Sequence, residues 1–157
     1  MRLSIALLTV VASVATAQET PQQDAVDGSV LIRNVRVTPG ALEITGTLDA
    51  GLPYGWSGVM FAAGQTAMAP VNLSSKKELR FSAKAEDRRS YAIMMFTRSK
   101  GQLPVIQRFT ASGDWKEVVM PFSSFAGADG HDLMGIAFVA SGTPGPFKLL
   151  IDDVKLR

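Results

Sequence analysis

The 157-residue sequence has no cysteine and a single histidine, His131. The first absence excludes disulfides, thiolate metal centres and thiol nucleophiles; the second excludes any site that needs two imidazoles. Charge of one sign is lacking too. Sixteen basic residues face 14 acidic ones, a formal net charge of +2, with no long run of either. No broad field therefore draws in nucleic acid. Aromatics are sparse apart from eight Phe, with two Trp and two Tyr. No apolar run reaches the roughly 20 residues that a bilayer-spanning helix takes. No Gly-rich phosphate loop follows a strand, and no amphipathic stretch is long enough to read as a stable helix.

What is present is a globular composition, 46% hydrophobic and 19% charged, in a length that suits one domain with a core of its own. The N-terminus reads differently. Arg2 gives a positive start, Leu3 to Val14 an apolar run, and Ala15-Thr16-Ala17 a small-x-small site, the pattern of a secretory signal peptide cleaved after Ala17. The expected organisation is a signal peptide over 1–17, a polar, flexible leader over 18–27, and a folded domain over 28–157. The product is expected in a bacterial periplasm or outside the cell, without a membrane anchor, since no cysteine is available for lipidation at the mature end.

The folded part alternates. Strands are expected at Val30 to Val37 and Ala41 to Leu48, a hairpin across Thr38-Pro39-Gly40. Further strands are expected at Trp56 to Ala62, Glu78 to Lys84, Arg89 to Thr97, Val105 to Thr110, Trp115 to Met120, Leu133 to Ala140 and Phe147 to Leu156. Asn72 to Ser75 and Phe122 to Phe125 suit single helical turns. In Arg89 to Thr97 both faces are apolar, as for a central strand covered on both sides. In the last strand Phe147, Leu149 and Ile151 share a face. That strand must find its neighbours far back in the chain. About nine strands with Gly/Pro-rich turns predict an all-β sandwich or jelly roll.

Gly58-Val59-Met60-Phe61 is followed by Val71-Asn72-Leu73-Ser74 and Leu79-Arg80-Phe81-Ser82-Ala83-Lys84. Asp114-Trp115, Val118, Pro121-Phe122, Phe125 and Gly135-Ile136-Ala137-Phe138 come next, and Phe147 with Ile151-Asp152-Asp153-Val154-Lys155-Leu156 closes the series. In this order, from about Gly28 to Leu156, they resemble the NADH:ubiquinone oxidoreductase complex I intermediate-associated protein 30 family, with family 11 carbohydrate-binding modules as more distant relatives. The resemblance implies a galactose-binding-like jelly roll without catalytic residues. Its mitochondrial members act in assembly, and secreted bacterial relatives stand alone or are joined to metal-dependent amidohydrolases. The chain departs from the family in one respect. Only Asp27-Gly28-Ser29 stands for a Gly-Gly-x-Ser turn, and the signal peptide takes the place of the family's opening strand. An open sheet edge beside Val30 to Val37 follows as an expectation, with a protein partner or a second copy pairing there.

Candidate chemistry is thin. Asp152 and Asp153 are the strongest polar signal. They read either as carboxylates bonded to a neighbouring loop or, by likeness to related jelly rolls, as part of a structural calcium site. Trp56 and Tyr91 are candidates for stacking on sugar rings, with core packing the alternative; Trp115 reads as core. Asp129, His131 and Asp132 suit a polar turn or a weak metal site. Ser74-Ser75-Lys76-Lys77 matches Ser-x-x-Lys without its companion motifs, and Ser57 in Gly-Trp-Ser-Gly falls short of a nucleophile elbow. The lysines and arginines along the strands, Arg80 and Arg108 among them, read as a solvated face.

The function expected from these features and from the resemblance is a non-catalytic, secreted binding or assembly domain for a protein partner such as an amidohydrolase-type enzyme. The alternative is a carbohydrate-binding module that meets a glycan through exposed aromatics. No cofactor is expected beyond that alternative of a structural calcium.

Overall fold

The computed structural model describes residues 32–38, 41–50, 55–86, 90–101 and 103–157. The expected signal peptide and leader lie outside them. Among the described residues nine strands follow one another: β1 (Ile32–Thr38), β2 (Ala41–Leu48), β3 (Trp56–Ala62), β4 (Glu78–Ala85), β5 (Ser90–Thr97), β6 (Val105–Thr110), β7 (Lys116–Pro121), β8 (Leu133–Ser141) and β9 (Gly145–Leu156). Short 3-10 turns occupy Arg98–Lys100 and Phe122–Ser124. The strands expected from alternation are all present, with ends within two residues. Asn72 to Ser75 makes no helical turn; the Asn72 side chain instead accepts the Ser74 N–H in an Asx turn. Among the described residues no helix is long and apolar enough to cross a membrane.

The strands form two antiparallel sheets, one in the order β1-β2-β9-β4-β7 and one in the order β3-β8-β5-β6. The last strand is central in the larger sheet, with Leu42 opposite Ile151 on one side and Ala83 opposite Ile151 on the other. Its partners β2 and β4 thus lie some sixty or more residues back in the chain, the non-local closure that its apolar face demanded. β5 is central in the smaller sheet and buried from Tyr91 to Met95. β1 pairs with β2 as the expected hairpin and lies at an edge.

The core fills the space between the sheets. β4 shows how the sequence specifies it: Leu79, Phe81, Ala83 and Ala85 point inward and are buried, while Glu78, Arg80, Ser82 and Lys84 alternate outward. Phe81 meets Phe109 and Phe138 of the other sheet edge-on, each at 5.0 Å between ring centroids. Tyr91 spans the layers as well. Its ring stacks on Phe109, and its hydroxyl donates to the Lys148 carbonyl at 3.1 Å.

One irregularity interrupts β9. Arg80 and Ser82 face Lys155 and Asp152, so β9 has one residue more than β4 between these pairs. Asp153 takes the strain with a φ of 53°, a conformation that Asp tolerates better than bulkier residues.

Candidate functional site

The two outer faces of the sandwich differ in kind. The five strands of the larger sheet carry twelve charged residues, whereas β3, β5, β6 and β8 together carry one, Arg108. On the larger sheet Lys148 pairs with Glu43 at 3.1 Å, and Arg80 pairs with Glu78 and with Glu117. Glu78 holds the Arg80 guanidinium above its usual pKa, chiefly through their hydrogen bond.

On the smaller sheet the outward residues form cross-strand rows. Trp56 lies opposite Ser141, and Ser90 opposite Thr110. The β5–β8 register places Ala92 opposite Val139; one outward pair further along, Ser90 falls beside Ser141. The row from Trp56 to Thr110 thus combines an indole with three hydroxyls. The next row runs Gly58, Val139, Ala92, Arg108, and the one after it Met60, Ala137, Met94, Ile106. Ala92, Met94, Ala137 and Val139 are buried, with Trp56 and Phe96 half-buried against them. Met60 and Ile106 remain 37% and 47% exposed. Gly58 must be glycine: a Cβ there would lie 2.0 Å from the Phe138 carbonyl oxygen. Bare backbone therefore separates Trp56 from Met60. The result is a face with an aromatic platform, a hydroxyl row, an apolar floor and one cation.

Of the two stacking candidates, the structure keeps only Trp56 within reach of a ligand. Tyr91 is fully buried in the core, because β5 turns its odd positions inward; this corrects its reading as a platform. Trp115 is corrected in the opposite sense. It immediately precedes the edge strand β7 and is 44% exposed. Asp152 and Asp153 lie on the β9 bulge, both exposed. Asp152 accepts the Asp153 N–H at 2.6 Å, and Asp153 pairs with Lys155. Among the described residues no three His, Cys, Asp or Glu side chains gather as a metal site.

The remaining motifs resolve into structure. The Ser57 hydroxyl points into the core, buried and without a hydrogen-bond partner in the described structure, where no substrate reaches it. Ser74 bonds to Asn72, and Lys77 reaches the Ser74 carbonyl, not its hydroxyl. His131 lies between Asp129, which bonds Nδ1, and Asp132, 3.7 Å from Nε2. Asp132 in turn accepts the Ser99 N–H at 2.6 Å, which ties the loop before β8 to the 3-10 turn after β5. The hydrogen bond raises the His131 pKa and lowers that of Asp129. Sequence reasoning missed the partners of Trp56, namely Ser90, Thr110 and Ser141. Alternation places each on a strand face, but only the strand order brings those faces together.

No family model matches the chain, and no curated protein matches it. Solved structures do. A family 11 carbohydrate-binding module of a cellulosomal cellulase of Clostridium thermocellum is 19% identical, over 78% of this chain and 79% of that one, with a TM-score of 0.55. A mutant family 29 carbohydrate-binding module is 16% identical over 77% and 72%, with a TM-score of 0.52. Another family 29 mutant, complexed with mannohexaose, reaches a TM-score of 0.51 at 16% identity over the same shares. The chain has the jelly-roll β-sandwich fold of these modules.

Proposed function

We propose that this chain is a non-catalytic glycan-binding module whose site is the outer face of the smaller sheet, with Trp56 as the stacking platform and Ser90, Thr110 and Ser141 as hydrogen-bonding groups. The observation that carries the reading is the difference between the outer faces. One is laced with ion pairs, and the other is uncharged but for Arg108 and presents a half-buried indole beside hydroxyls. Sugars offer that same combination, an apolar ring face edged with hydroxyls. The likeness to family 29 modules, one of them complexed with mannohexaose and another with cellulohexaose, supports the ligand class. Secretion, with cleavage after Ala17, belongs to the same proposal.

Calorimetric titration of the full chain with cellohexaose and mannohexaose tests it. Trp56→Ala should weaken binding about tenfold or more, as for loss of an aromatic contact. Tyr91→Phe should leave the affinity unchanged. Absence of binding to any oligosaccharide, or affinity indifferent to Trp56, overturns the reading.

A second reading, a protein partner at a sheet edge, draws on one observation. β1 is an edge strand, and among the described residues only β2 pairs with it. A partner or a second copy adding a strand there would satisfy its outer amides. Concentration-dependent self-association, weakened by Val35→Pro, is the expected signature.

A further inference from the structure

We infer that the glycan taken by this face is anionic, a uronate-bearing chain whose carboxylate is read by Arg108; the inference rests on the glycan-binding proposal above. Arg108 is the only charged residue in the four strands of the smaller sheet, and those strands contain no acid at all. It is exposed, and no carboxylate among the described residues pairs with it, whereas Arg80 on the opposite face is held by Glu78 and Glu117. A neutral sugar gives a lone guanidinium hydroxyls to bond. A uronate gives it a planar two-oxygen acceptor that matches its fork.

Position supports the assignment. Arg108 faces Ala92, one outward residue along β6 from Thr110, so it adjoins the hydroxyl row that begins at Trp56. β3 and β6 are the two edges of the sheet, three strand spacings apart, about 14 Å. One monosaccharide does not span that distance. An oligosaccharide laid across the strands stacks on Trp56 at one end and sets an acidic residue beside Arg108 at the other. The row between them, Gly58, Val139 and Ala92, is buried and uncharged, so it sets no acid against the carboxylate.

Titration of the full chain with hexagalacturonate, cellohexaose and mannohexaose, at low and high salt, tests the inference in four variants. Hexagalacturonate should bind about ten- to a hundredfold tighter than either neutral chain, the range for hydrogen bonds to a charged group. Arg108→Gln should erase that preference, Arg108→Lys should retain part of it, and Lys84→Gln, on the charged face, should change nothing. Trp56→Ala should weaken all three ligands. Binding that is sensitive to Trp56 but shows no preference for the uronate overturns the inference and leaves glycan binding standing. Uronate binding that survives Trp56→Ala, or falls equally in Lys84→Gln, is ion exchange on a basic surface and overturns it as well. No binding to any of the three overturns both.

Discussion

The outer face of the larger sheet and the outer face of the smaller one are built on equally regular alternation, yet they meet water differently. On β4 every outward position is charged or polar, and cross-strand pairs such as Glu43–Lys148 join neighbouring strands. Each such exposed pair adds little to stability; together they make a surface that nothing needs to cover. On β5 and β8 the outward residues Ala92, Met94, Ala137 and Val139 are all buried, under the partial cover of Trp56 and Phe96. Met60 and Ile106 stay exposed beside them. The difference shows that hydrophobic periodicity locates the strands, but the distribution of charge separates a solvated face from one suited to a ligand.

The comparison presupposes a sound layer between the faces. The largest effect should come from breaking it. Phe147 is 3% exposed and packs edge-on against Tyr91, so Phe147→Ala should cost roughly 3–5 kcal/mol in urea melts. Trp115→Ala should cost about 1 kcal/mol or less, since an exposed indole loses little burial. Equal losses would mean that Trp115 belongs to the core after all.

A smaller effect separates the faces themselves. Ala137 is fully buried on the uncharged face, whereas Thr47 is exposed on the charged one. Ala137→Asn should destabilise by about 1–3 kcal/mol, because a buried amide finds no partner there. Thr47→Asn should stay within about 0.5 kcal/mol. If both variants melt alike, the two faces are equally wet and the proposed site loses its basis.

Much of this was legible in the sequence. Period-two alternation gave all nine strands and the double-sided burial of β5, and it left β9 with an apolar face that needed partners from far back in the chain, because burying one face of a strand leaves a local trace. Trp115 reads as core yet is exposed, and Tyr91, open to either reading, is core; both outcomes have a common reason. Which side of a strand faces the core depends on how the sheets stack, and aromatic content alone does not carry that. Asp152-Asp153 reads in the sequence as a polar signal; that it is a bulge follows from the β4 register, which lies some seventy residues away. The Trp56 row, with its hydroxyls drawn from three other strands, exists only through strand order, and no local pattern encodes it.

The smallest expected effect lies on neither face, in the loop before β8. His131, bonded to Asp129 and near Asp132, is the only histidine in a chain without cysteine. Its pKa is raised, so its contribution is full below the unfolded value of about 6.5 and is lost as pH rises through the higher folded one. Asp129 has a lowered pKa. Its contribution is present above about 3.9 and is lost as pH falls through the lower folded value. The pair should therefore support the fold most between about pH 4 and 6.5. Urea melts should show slightly lower stability at pH 8 than at pH 6, with His131→Gln removing the slope, and NMR titration should place the imidazole above its ordinary value. His131 precedes β8 at the end opposite Ser141, which pairs with Trp56, so glycan affinity should not follow the stability slope. An affinity that tracked His131 would tie the loop to the binding face and break the separation drawn between them.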